Sequence, residues 1–219
     1  MIAATTRLLF AGALWLAPSR AAPPETSAAL DAPTLVGSLK RAPPARTAYT
    51  ELRFSSLLER PLILRGELEY SGPGQLGKRV DTPYREQTTI ADGVAVVQRD
   101  GREPHRFPLS RAPELEGFLR GFASLLGGDA EALARDFTLA ASGTSTHWRI
   151  ELKPRDRRLA RRISAIEVDG GGDTPRCFRT READGDVGVL LVDTLAGADL
   201  PARPSQAQVD ALCQGVTTP

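Results

Sequence analysis

The sequence predicts a mainly β (α+β) fold, an antiparallel sheet of about ten strands that curls under a helical lid. Three observations predict it. Residues 49–70 hold two runs in which apolar and polar side chains alternate. Short runs of the same kind recur along the chain between Gly-, Asp- and Pro-rich turns. A single convincing apolar repeat of helical period interrupts them at 113–126.

In the first run Leu52, Phe54 and Leu58 stand opposite Arg53, Ser55 and Glu59, and in the second Leu62, Leu64, Leu68 and Tyr70 stand opposite Arg65, Glu67 and Glu69. Successive strand side chains point to opposite faces, so each run describes a strand with one apolar and one wet surface. Pro61 lies between them, where a missing N–H harms the ladder least. Strand-like runs follow at 76–81, 85–91, 94–99 and 105–109, with Asp92-Gly93 as a hairpin turn. Leu115, Phe118, Leu119, Phe122, Leu125 and Leu126 then recur at helical spacing until Gly127-Gly128. A shorter helix from Asp129 leads into further strands carrying Phe137 and Leu139, Trp148 and Ile150, Ile166 and Val168, Cys177, and Val187–Val192. A helical piece over 32–39, capped by Asp31, precedes the hairpin, and another over 205–213 closes the chain. A sheet this wide must curl or close to manage its edges, and the 115–126 helix is the natural cover for its apolar face.

At 219 residues the chain reads as one domain, and a net charge of +1 removes the basic footprint that nucleic-acid binding leaves. Arg7, the apolar run Leu8–Leu16 and the small residues to Ala22 describe a secretory signal over residues 1–21, too short for a membrane span. The expected organisation is a signal at 1–21, an Ala/Pro-rich segment with a short helix at 22–48, the sheet domain at 49–200 and a C-terminal helix and tail at 201–219. An even pair of cysteines, Cys177 and Cys213, favours a disulfide in an oxidising compartment, with two buried free thiols as the alternative. Such a bridge would tie the C-terminal segment to the sheet and stabilise the fold by roughly 3–4 kcal/mol.

No catalytic constellation appears. His105 and His147 each stand beside a strand without a companion, and Ser124 lacks the glycine a nucleophile elbow requires. The aspartates near Gly170 and Gly185 read as hairpin turns rather than a calcium loop. Neither a phosphate loop nor zinc spacing occurs, so neither cofactor nor metal is expected. Arg155, Arg157, Arg158, Arg161 and Arg162 form a basic cluster read as a loop, either a solvated turn or a docking patch for an acidic partner or anionic membrane. The surplus is in apolar side chains. A curved sheet under a lid either packs solid or encloses a greasy ligand. In the second case the lining is expected to comprise Leu52, Phe54, Leu58, Leu62, Leu64, Leu68 and Tyr70 from the hairpin and Val94 and Val96 from a later strand. Leu115, Phe118, Leu119 and Phe122 would come from the lid, and Phe137, Leu139, Trp148 and Ile150 from the strands after it.

A set of motifs in this order carries a family resemblance. Phe54 leads to Leu58-Glu59-Arg60-Pro61; Gly66-Glu67-Leu68, Tyr70, Pro83 and Ile90-Ala91-Asp92-Gly93-Val94-Ala95-Val96 follow; then come Trp148-Arg149-Ile150-Glu151-Leu152-Lys153-Pro154 and Ile163, Ile166 and Val168. Together they resemble the LolA periplasmic lipoprotein-carrier family, and more closely a LolA-related branch linked to polyene-lipid biosynthesis, over residues 35–192. The resemblance implies a half-open barrel capped by helices in the periplasm of a Gram-negative cell. A monomer is expected, shielding the acyl chains of a lipoprotein or lipid between an inner-membrane exporter and an outer-membrane acceptor. The alternative on the same fold is a lipid- or lipoprotein-sensing or scaffolding domain that transports nothing. The best-known carriers pin the lid with an arginine at the end of the second strand. The corresponding stretch here is Tyr70-Ser71-Gly72-Pro73, so control of the lid differs.

Overall fold

A computed structural model describes residues 30–215. The expected export signal at 1–21, residues 22–29 and the last four residues lie outside that range. The chain runs through α1 (Ala32–Ser38), β1 (Ala45–Phe54), β2 (Leu62–Gly72), β3 (Gln75–Thr82), β4 (Glu86–Ala91), β5 (Val94–Arg99) and β6 (His105–Pro108). It continues through α2 (Pro113–Leu126), α3 (Ala130–Asp136), β7 (Phe137–Gly143), β8 (Trp148–Pro154), α4 (Arg157–Ala160), β9 (Ile163–Gly171), β10 (Thr174–Glu182), β11 (Val187–Val192) and α5 (Gln206–Cys213). β1 thus starts four residues before Tyr49, and the arginine-rich stretch read as a loop contains α4. Asp156 caps that short helix by accepting from the backbone N–H groups of Arg158 and Leu159.

The eleven strands form one antiparallel sheet in the order β6-β5-β4-β3-β2-β1-β11-β10-β9-β8-β7. Two meanders, β1–β6 and β7–β11, meet where β1 pairs β11, and β6 and β7 remain the two outer edges. The sheet is therefore open, as a half-barrel requires, and α1, α2 and α3 pack over one face. Asp31 caps α1 through the Thr34 N–H, and Leu35, Val36 and Leu39 bury that helix against Tyr49, Phe137, Trp148, Ile150 and Leu152. This end of the inner face is packed solid. Gly121 explains how closely α2 approaches it: a Cβ there would lie 2.2 Å from the Phe137 ring.

The outer face carries a second, smaller core. Leu52, Cys177, Val187, Val189, Leu191, Val209 and Cys213 bury one another beneath α5. The Cys177–Cys213 disulfide, spanning 36 positions of sequence, fastens α5 to β10. Beside it Arg179 is 1% exposed. Its Nη1 donates to Glu167 Oε2 at 2.6 Å and its Nη2 to Asp210 Oδ1 at 2.5 Å. Arg149 and Arg181 close the network on Asp169 (2.7 Å) and Glu167 (2.5 Å). Burial pushes the Glu167 carboxyl up, but hydrogen bonds from Arg181 and Arg179 outweigh it and hold it below the usual carboxylate value.

This arrangement corrects the facing of β1. Register pairs Glu51 with Leu64 and Leu52 with Ile63, which puts Glu51 on the inner face and Leu52 on the outer. The alternation of Leu52 and Phe54 is real, but it marks the face that α5 covers. Both faces of β1 are buried here, so an apolar stripe no longer tells inside from outside.

Candidate functional site

Away from the solid end, α2 and the inner face enclose a cavity of about 1100 Å³. Pro113 opens α2 at a position where its missing N–H costs nothing, and Gly127 ends it. Between them Leu115, Phe118, Leu119, Phe122 and Leu126 border the space, while Leu125 is buried in the solid core. Phe118 stacks on Phe122 at 6.4 Å between ring centroids, and Phe122 meets the edge of Phe178 on β10 at 5.4 Å. The sheet supplies Leu62, Leu68 and Tyr70 from β2, Leu76 from β3, Ile90 from β4, Ala95 and Val97 from β5, Phe107 from β6 and Leu190 from β11. At the mouth the 55–61 loop presents Leu58, 45% exposed, and Leu57, 91% exposed.

One polar cluster interrupts this wall. Glu51 on β1 accepts from Arg53 Nε at 2.7 Å and from Lys78 Nζ on β3. Lys78 reaches Glu51 across the Tyr49 ring, its ammonium 5.2 Å from the ring centroid. Gly66 separates Tyr49 from Val80 in the intervening row and adds no side chain to it. Burial pushes the Glu51 carboxyl up, yet Lys78 and Arg53 outweigh that and hold it below the ordinary value. The Tyr49 hydroxyl is buried with no hydrogen-bond partner among the described residues, and burial, then Glu51, raises its pKa.

Of the side chains expected at a cavity, Leu58, Leu62, Leu68, Tyr70, Leu115, Phe118, Leu119 and Phe122 border this one, and Phe54, at the end of β1, touches it while packing against the outer core. The others do not. Leu52 lies in the outer core, and Leu64, Phe137, Trp148 and Ile150 are locked in the solid inner core with Leu139 packed against them. Val94 and Val96 are out of phase: Ala95 and Val97 pair into the row that faces α2. Strand phase within β3–β6 was the missing signal, and Leu76 and Ile90, paired in register, would have set it. Glu51, Arg53 and Lys78 were missed because a charged residue on an alternating strand reads as solvent-facing.

The arginine cluster divides. Arg155 Nε donates to the carbonyls of Ala134 (3.0 Å) and Phe137 (3.1 Å) and so joins α3 to β7. Arg162 borders the cavity, and Arg157, Arg158 and Arg161 are exposed on or beside α4 with no ion pair among the described residues. Both histidines are exposed. Among the described residues no cluster of metal-ligating side chains forms and no helix is long and apolar enough to cross a membrane.

Solved structures to which the chain is similar include two of low sequence identity. A LolA superfamily protein from Nitrosomonas europaea matches at 15% identity over 79% of this chain and 96% of that one, with a TM-score of 0.42. LprF from Mycobacterium bovis matches at 9% identity over 80% and 94%, with a TM-score of 0.37. A search of curated proteins returns no match. The model of one family, outer membrane lipoprotein carrier protein LolA-like, matches residues 21–216. That family is one of carriers rather than enzymes, and the disulfide accords with a location outside the cytoplasm. By a match that spans the whole described chain, the protein belongs to the LolA-like outer membrane lipoprotein carrier family.

Proposed function

We propose that the protein is a periplasmic carrier that shelters the acyl chains of a lipoprotein, or of a lipid such as a polyene lipid, between the inner and outer membranes. The observation that carries this reading is the apolar cavity of about 1100 Å³ beneath α2, just above the roughly 300–1,000 Å³ range of small-molecule pockets. Each methylene held there instead of in water is worth roughly 0.8 kcal/mol. A long chain is thus retained without covalent chemistry, and release requires only that α2 move or that a partner compete for the same apolar surface. An inner-membrane exporter would load the cavity and an outer-membrane acceptor would empty it. Residues 1–21 serve in this reading as the export signal.

A second reading has one observation in its favour, the exposed Arg157, Arg158 and Arg161 beside the cavity, which have no ion pair among the described residues. They suit an acidic partner or an anionic membrane, as a sensing or scaffolding domain requires. One experiment separates the two. Native mass spectrometry of gently purified protein is expected to show a bound amphiphile, which Phe118→Asp removes and the Arg157→Glu/Arg158→Glu pair leaves in place. Protein that is always empty and ignores acyl probes refutes the carrier. Cellular function lost only in the arginine pair supports the sensor.

A further inference from the structure

The Glu51–Lys78–Arg53 cluster stands where a carrier of plain hydrocarbon has no use for it. A carboxylate as buried as Glu51 costs several kcal/mol unless well paired, and an apolar wall would be served by an aliphatic side chain at that position. The cluster also does not balance. One carboxylate faces two cations, and both of its oxygens are engaged: Oε1 accepts from Arg53 and Oε2 from Lys78. Arg53 spends only its Nε on Glu51, and among the described residues neither terminal nitrogen of its guanidinium has a hydrogen-bond partner. Its side chain is 54% exposed, against 11% for Glu51. Across the sheet from Arg53 stands Gly188, where an added Cβ would meet nothing within 4 Å. Room and donors thus occur together.

The other charged groups on the border do not fill this role. Glu69 accepts from Ser71 Oγ and pairs with Arg46 at 3.6 Å. Arg41, Arg162 and Asp193 lie outside the strands, and Glu182 and Asp186 belong to the β10–β11 hairpin end. Glu182 is felt by Arg53 but makes no ion pair with it within 4.0 Å among the described residues.

The geometry points to a head-group site: Arg53, supported by Lys78 and oriented by Glu51, binds the acidic group, a carboxylate or phosphate, of an amphiphile whose chain lies beneath α2. Glu51 fixes the guanidinium through Nε and leaves its other edge as a two-pronged donor, the geometry that carboxylates and phosphates match. Lys78 adds a point charge behind it. The apolar part of the cavity, from Leu68 and Tyr70 to Ile90 and Phe122, then receives the chain. This rests on the carrier reading and adds to it a preference for acidic over neutral cargo, with one orientation inside the cavity.

The test compares amphiphiles of one chain length on the mature protein by displacement of a fluorescent acyl probe: hexadecanoic acid, a sixteen-carbon lysophosphatidic acid and hexadecanol, with acetate and inorganic phosphate as controls that carry the acidic group without the chain. The two acids are expected to bind about tenfold more tightly than the alcohol. In Arg53→Gln that preference is expected to fall to about twofold or less with the alcohol's affinity unchanged, and in Lys78→Met to fall part of the way. The unchanged alcohol affinity shows that the variants are folded. Equal affinity for acid and alcohol in the wild type, or a preference that survives in both variants, overturns the head-group site and leaves the carrier standing. Binding of inorganic phosphate as tight as that of the acids overturns it in favour of a free-anion site. Failure of all three amphiphiles to displace the probe overturns the carrier and the head-group site together.

Discussion

Arg179 shows what a single side chain can hold in this sheet. It is buried on the outer face among Glu167, Asp169 and Asp210, and without it two carboxylates at 6% and 3% exposure lose the one fully buried cation of their network and keep only the more exposed Arg149 and Arg181. Breaking a buried pair by removing one partner costs about 3–5 kcal/mol, because the survivor stays desolvated. Arg179→Met should therefore lower the unfolding free energy at pH 7 by that amount, read from urea denaturation. The pH dependence distinguishes this cause from lost packing. Glu167 is held below the usual carboxylate value by Arg181 and Arg179. A depressed carboxylate contributes stability that is present above the unfolded pKa and lost as pH falls through the folded one. The gap between wild type and variant should thus be widest above about pH 5 and narrow toward pH 3; a gap that stays constant would assign the loss to packing. None of this was legible in the sequence. Arg179 and Arg181 alternate with Thr180, the pattern of a solvent-facing row, and only the docking of α5, whose Asp210 lies 31 residues beyond Arg179, turns that row into an interior.

At the level of elements, α5 is the one whose consequences reach furthest. Its cysteine was readable from the even count, and the bridge to Cys177 is present. What the pattern of residues 49–70 left open was which side of β1 the bridge would cover. Leu52 and Leu64 both sit in apolar stripes and both are buried, yet they lie on opposite faces because β1 and β2 pair with Glu51 beside Leu64. Alternation gives two faces and leaves their labels to the partner elements. α2, in contrast, was legible almost residue by residue, since Leu115, Phe118, Leu119 and Phe122 occur at a period no strand shares. The placement of α5 yields a prediction. Closing a loop of 36 positions limits the unfolded chain, so the Cys177→Ala/Cys213→Ala variant should lose about 2–4 kcal/mol. Because α5 lies on the outer face and contributes nothing to the cavity wall, uptake of an acyl probe by the folded fraction should be unchanged. Loss of uptake at full folding would show that α5 governs the cavity from behind the sheet.

Across the whole molecule the inner face is divided into a filled half and a hollow half. Phe137, Trp148, Ile150 and Leu152 are packed under α1 and α3, whereas Leu68, Leu76, Ile90 and Phe118 face open space under α2. The two sets have similar composition and similar alternation, which is why the sequence reading assigned Trp148 and Ile150 to the same wall as Leu68. A cavity is an absence of atoms, and periodicity reports only which way a side chain points. The division has an energetic signature. Truncating a side chain in a packed interior costs its transfer free energy plus that of the void it leaves, so Ile150→Ala should destabilise by about 2–5 kcal/mol. A side chain already beside a void leaves no new one and is partly hydrated before truncation, so Leu76→Ala should cost under about 1 kcal/mol. Uptake should follow the opposite ranking: the probe's affinity weakens in Leu76→Ala, which removes contact surface, and is retained by folded Ile150→Ala. Urea denaturation and probe titration on the two variants measure both. Equal stability losses would mean that the hollow half closes on itself in solution, and a molecule that collapses when empty must be opened by its loading partner before it can accept a chain.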